Sequence, residues 1–190
     1  MISLVVTLAL LAALIVYFVG IYNALVGLRE NIRVSWANID VLLKQRHDEL
    51  PKLIETCKRY MQFEQDTLER VMRARSSVNQ ASASGNVAAM GAAEHQLRAG
   101  MTHLYAVAEN YPQLKSDESF KQLQARITAL EESIADRREL YNDQVNLNNI
   151  RVGVFPDVII ARRFGFLPAH LLEFTAEEKH DIDVGALFRA

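Results

Sequence analysis

No Asp, Glu, Lys or Arg occurs between Met1 and Leu28, so all 21 basic and 23 acidic side chains of this 190-residue chain lie beyond that point. The mean hydropathy of zero therefore averages two unlike segments. From Ile2 to Tyr22 the chain reads ISLVVTLALLAALIVYFVGIY, broken only by Ser3, Thr7 and Gly20. At about 1.5 Å per residue a helix of that length rises roughly 31 Å, matching a hydrocarbon core of about 30 Å. Tyr17, Tyr22, Asn23 and then Arg29 suit the interface at its C-terminal end.

A cleaved signal peptide would carry a basic n-region, a shorter apolar stretch and a small-residue cleavage site. Here the n-region has no Lys or Arg, and Tyr17-Phe18-Val19 stands where cleavage would fall. The run reads as a retained transmembrane anchor over residues 1–28. Arg29, Arg33, Lys44 and Arg46 follow it and nothing basic precedes it, which favours an outside N-terminus and a cytoplasmic C-terminal domain. Small residues line one face: Ala9, Ala13, Val16, Gly20, Asn23 and Gly27 recur in steps of 4 and 3, a seam along which a second helix can approach closely.

Beyond the anchor the pattern is helical, with no stretch of strand period. Ile32, Trp36, Ile39, Leu43, Arg46, Leu50, Leu53, Cys57, Tyr60, Glu64, Leu68, Val71, Arg75 and Val78 step by 4 and 3. Pro51 removes the hydrogen bond to the His47 carbonyl, yet the row passes through it in phase, which predicts a kink rather than a break. A second stripe, Gly27, Val34, Ala37 and Val41, is offset from the Ile32-Trp36-Ile39-Leu43 row and offers a face to another neighbour. Ala81 to Asn86 reads as a loop, with Gly85 as stop and Asn86 as N-cap. A second helix carries Met90, Leu97, Met101, Leu104, Ala108 and Tyr111, and Pro112 ends it. Ser116-Asp117-Glu118 caps a third, with Phe120, Leu123, Ile127, Leu130, Ile134, Arg137, Tyr141, Val145 and Asn148 on its seam, closed by Gly153 and Pro156.

The fold class expected is all-α: an N-terminal transmembrane helix leading into an elongated antiparallel bundle of three long helices over 29–153, the first kinked at Pro51, plus a short C-terminal helical segment. Residues 154–174 are apolar and aromatic with an Arg162-Arg163 pair; they read either as a helix and turn capping the bundle or as an interfacial segment on lipid. Residues 175–190 read as a polar tail.

Together these residues resemble the LemA family, over about residues 1–174. The resemblance rests on Tyr22-Asn23 after the anchor, on Trp36-Ala37-Asn38-Ile39-Asp40-Val41-Leu42-Leu43 leading to Arg46, and on Leu50-Pro51-Lys52-Leu53. It continues through Glu64, Ala74-Arg75, Glu109-Asn110-Tyr111-Pro112-Gln113-Leu114, Phe120-Lys121-Gln122-Leu123-Gln124, Arg137-Arg138-Glu139-Leu140-Tyr141-Asn142 and Phe155-Pro156. The order and spacing of these pieces carry it. His47 and Glu49 depart from the family pattern of an aromatic and an aliphatic residue, and Asn148 from an aromatic. The resemblance implies a bacterial membrane-anchored helical bundle, its bulk cytoplasmic, with no established enzymatic activity; this places the chain in the bacterial inner membrane.

No catalytic, cofactor-binding or metal site is expected. The five histidines lack zinc-site spacing, although His95 and His103, with Glu94 and Glu109 nearby, are spaced for a weak surface site. Cys57 reads as a packed thiol. Net charge of −2 gives no basic field for nucleic acid. Ions on a core seam must be paired or hydrogen-bonded, so Arg46, Glu64, Glu109, Arg138, Tyr141 and Asn142 are read as a buried polar network, with Arg46 to Glu109 and Arg138 to Glu64 as the pairs. The function expected is a single-pass scaffold that self-associates and presents helical surfaces to lipid or a membrane-protein partner. The alternatives are an adaptor or regulator of a membrane protease, sensor or enzyme, and an enzyme using the polar seam.

Overall fold

The computed structural model describes residues 1–172. The expectations for the tail 175–190, for His180 and for the last two residues of the 154–174 segment lie outside these. Six helices follow one another: α1 (Ile2–Lys58), α2 (Gln65–Ser84), α3 (Val87–Ala108), α4 (Pro112–Ser116), α5 (Glu118–Gly153) and α6 (Asp157–Phe164). No strand occurs among the described residues, and the all-α expectation holds.

The helix expected to run unbroken from the anchor through Val78 is instead two. It continues through Pro51 to Lys58, stops, and restarts at Gln65. No Gly or Pro marks the stop; tertiary contacts make it. The Cys57 carbonyl accepts from both Tyr60 N (3.0 Å) and Met61 N (2.8 Å), and Met61 is fully buried. The Tyr60 hydroxyl donates to Asp117 (2.9 Å) and that of Tyr111 to Glu64 (3.3 Å), pinning both ends of the break.

The expected loop at Ala81–Asn86 also shrinks. Ala81 is buried and the helix holds to Ser84, leaving only Gly85, at φ 64°, and Asn86 between helices. A positive φ suits glycine because it has no Cβ to clash. Asn86 then caps α3 by accepting from Ala89 N at 3.0 Å, and Asp117 caps α5 by accepting from Phe120 N at 3.1 Å.

The chain divides into two compact units. One comprises residues 1–41 with 135–171. Its core joins Ile21 and Leu25 of α1 to Val152 of α5, Ile160 and Ala161 of α6, and Phe166. The other comprises residues 42–134 with Leu172, and buries apolar rows from α1, α2, α3 and α5: Leu50, Leu53, Val71, Leu97, Leu104 and Ile127 are all at or near zero exposure.

Candidate functional site

In the unit of residues 1–41 and 135–171, the two expected faces of α1 separate. Ala9, Ala13, Val16, Gly20, Asn23 and Gly27 are all exposed, and a Cβ added at Gly20 or Gly27 would meet nothing within 4 Å. The offset stripe is exposed too, Val34 at 52% and Val41 at 56%, while Ile39 is buried. On the other side, the ring of Tyr22 stands 5.0 Å from Phe164 and 5.7 Å from Phe166, and the Arg29 guanidinium lies 5.4 Å over the Phe166 ring.

The same unit holds Arg138, Tyr141 and Asn142. The α5 seam takes Arg138 where Arg137 was expected: Arg138 is buried and Arg137 exposed, because the 3.6-residue turn drifts from a strict heptad and two steps of 4 in succession, Leu130-Ile134-Arg138, keep the row facing inward. Tyr141 is buried, 5.6 Å from Trp36, and donates its hydroxyl to the His170 carbonyl at 3.0 Å. Burial pushes its phenol up. Asn148 and Asn149 donate to the carbonyls of Leu167 (3.2 Å) and Ala169 (3.0 Å), and Asn149 accepts from Ala169 N (2.8 Å). Side-chain bonds from α5 thus hold residues 167–170 by their backbone. Asn148, conspicuous in the sequence as a departure from an aromatic, owes its place to this role.

In the unit of residues 42–134, Arg46 and Glu94 form an ion pair, each almost fully buried, at 3% and 5% exposure. The expected partner Glu109 is exposed and pairs with Lys115, so the Arg46–Glu109 expectation is corrected, and Glu64 accepts from Tyr111. Of the six expected network residues, Arg46, Glu64 and Glu109 fall in one unit and Arg138, Tyr141 and Asn142 in the other. Sequence reading missed Glu94 as a core residue, although Met90, Glu94, Leu97 and Met101 step 4, 3, 4; the carboxylate filled the gap in an otherwise apolar row. Glu131 of α5 belongs to the same cluster. Burial pushes its carboxyl up, against the pull of Arg46 and Arg98 and with Glu94 adding to the rise. Arg46 of α1 thus pairs with Glu94 of α3 and acts electrostatically on Glu131 of α5. The Tyr105 hydroxyl, Arg46 Nε and one Glu131 oxygen are buried there without a hydrogen-bond partner. Burial, then Glu131 and Cys57, raises the Tyr105 phenol.

The two departures near Pro51 also find partners. Glu49, buried, bonds Lys52 at 3.1 Å and Arg126 at 3.1 Å. Arg75 Nε donates to the His47 carbonyl at 2.9 Å and its Nη2 to His47 Nε2 at 2.6 Å. Burial and then Arg75 lower the His47 pKa, with Asp48 opposing. An arginine can only donate, so Nε2 is the accepting nitrogen and the ring is neutral. Cys57 is fully buried and its thiol is pushed up to about 12, so it packs as a protonated thiol and is not a nucleophile at neutral pH. Where α1 gives way to α2, Ile54, Met61, Phe63, Leu68 and Met72 line an open apolar recess.

Fold and sites define an all-α protein with, among the described residues, one helix long and apolar enough to cross a membrane. Its residues 35–185 match the LemA family profile, and the chain belongs to the LemA family. It is also similar to the magnetosome proteins MamQ 1 and MamQ 2 of Paramagnetospirillum magneticum, with 22% identity over 177 residues and 80% of this chain covered. The chain spans 64% of the length of these relatives.

Proposed function

We propose that the protein crosses the bacterial inner membrane once through the apolar part of α1, N-terminus outside and remaining helices in the cytoplasm, and serves as a self-associating scaffold. The observation that carries this reading is the uncovered face of α1. Its seam from Ala9 to Gly27 and the stripe continuing through Val34, Ala37 and Val41 are exposed among the described residues, while the opposite side at Ile21 and Leu25 is fully engaged. Small side chains on a lipid-facing helix support close packing of backbones, which is how helices associate in membranes. The Lys and Arg residues after Leu28 support the orientation.

The mass of the full-length protein in detergent, corrected for bound detergent in a light-scattering experiment, is expected to be several times 21.5 kDa. A monomer at every detergent ratio would overturn the scaffold reading. A second reading, an adaptor for a membrane-protein partner, draws support from the recess beside the exposed Phe63. Proximity labelling in cells that returns one dominant partner, lost in Phe63→Ser, would favour it over the scaffold.

A further inference from the structure

The segment between Val154 and Leu167 carries more apolar surface than its packing uses. In α6 Ile160 and Ala161 face α1, whereas Ile159, Arg162 and Arg163 share the exposed face. Phe155 and Leu167, on either side of the helix, are 80% and 77% exposed. Isolated exposed apolar side chains are ordinary, but clustered aromatic and aliphatic ones beside a basic pair are not. The contacts with α1 set where this surface sits. Phe164 and Phe166 lie against Tyr22, and Arg29 lies over Phe166. Tyr22 closes the apolar run and Arg29 is the first charge after it. At about 1.5 Å per residue they are about 10 Å apart along the helix. A bilayer of about 40–45 Å around a core of about 30 Å leaves about 5–8 Å of headgroup layer on each side. The segment is therefore held at the level where hydrocarbon gives way to headgroups.

We propose that residues 154–167 form an interfacial element of the same membrane, with Phe155, Ile159 and Leu167 among the upper acyl chains and Arg162 and Arg163 on the phosphates of anionic lipid. The inference rests on reading α1 as a membrane span. Apolar and basic side chains beside one another on an exposed face suit this layer, where the apolar ones reach acyl chains and the cations gain from anionic lipid. Asp157, the acidic residue of α6, is paired with Arg151 and leaves the exposed face basic.

Spin labelling of the full-length protein tests this, since Cys57 is buried and does not compete for the label. Single cysteines replace Phe155, Leu167, Leu10 as a lipid control and Ser76 as a water control, in vesicles of phosphatidylglycerol and phosphatidylcholine. Power saturation then compares collisions with oxygen, which concentrates in lipid, and with a nickel chelate, which stays in water. The labels at 155 and 167 are expected between the two controls, on the oxygen side of Ser76. Arg162→Glu with Arg163→Glu is expected to move the 155 label toward the chelate, and more so with phosphatidylglycerol than with phosphatidylcholine alone. Labels at 155 and 167 as open to nickel as Ser76 would overturn the proposal, as would labels closed to both reagents, which would mean that protein covers them. Depth unchanged by the charge reversal would overturn the assignment of the arginines to anionic phosphates. If the Leu10 label is itself in water, the membrane-spanning reading fails along with this one.

Discussion

Pro51 withholds an N–H from the His47 carbonyl, and Arg75 of α2 supplies one. A proline in a helix interior thus creates an acceptor that a neighbouring helix can use. Arg75→Met leaves that carbonyl unsatisfied and is expected to cost about 1–3 kcal/mol. In a Pro51→Ala background the helix closes its own bond, so the same change should cost less, by about 1 kcal/mol. Equal costs in chemical denaturation of the two backgrounds would show that Arg75 does not replace the missing bond. His47 adds a pH dependence. Its folded pKa is lowered, chiefly by burial and then by Arg75, so below the ordinary histidine value of 6.5 the unfolded chain takes up the proton first. The stability it contributes is intact above that value and is lost as pH falls through the lowered folded value. Wild type should therefore lose more melting temperature than His47→Gln when pH drops from about 7.5 to about 5.5. The Arg46–Glu94 pair is buried enough for larger effects: Arg46→Met or Glu94→Gln alone should cost about 3–5 kcal/mol by stranding the partner, and the double variant less than their sum. Glu109→Gln, by contrast, should stay within about 0.5 kcal/mol. That sequence reading chose Glu109 over Glu94 has a physical cause. Spacing along one helix shows which residues share a face, but which residue of another helix lies opposite depends on packing that no single helix encodes.

At the scale of elements, helices were legible where their ends are chemical. Gly85, by its positive φ, stops α2, and the side chains of Asn86 and Asp117 cap α3 and α5. The break at residues 59–64 was not legible, because Tyr60 and Glu64 continue the 4 and 3 steps in phase and no glycine or proline interrupts them. What ends α1 is distant in sequence: Asp117 holds Tyr60, and Tyr111 holds Glu64. Met61 is the anchor of that break, fully buried although it belongs to no helix. Met61→Ala should cost about 2–5 kcal/mol, the range of a core truncation. A loss below about 0.5 kcal/mol, the ordinary range for a surface position, would mean that the break does not depend on it.

For the whole molecule, the absence of charge before Arg29 and the small-residue seam were both legible, because each is a property of one helix and needs no partner to be read. The grip of α6 and Phe166 on Tyr22 and Arg29 was not: for residues 154–174 the sequence favoured a bundle cap over an interfacial segment, and the contacts of Phe164 and Phe166 with α1 show where those side chains dock. The seam now permits a clean experiment on self-association. Gly20 and Gly27 are exposed, and among the described residues a Cβ at either meets nothing within 4 Å. Leucine there is also a better helix former than glycine by up to about 1 kcal/mol. Gly20→Leu with Gly27→Leu should therefore leave the unfolding of the helical units unchanged within about 0.5 kcal/mol. Between two copies the same side chains would force the backbones apart, since close approach through small residues is what such a seam provides. The mass in detergent is then expected to fall toward that of a single chain while the melting curve stays in place. An oligomer that survives the double substitution intact would move the self-association surface away from the two glycines, to the Val34–Val41 part of the face or to the recess at Phe63.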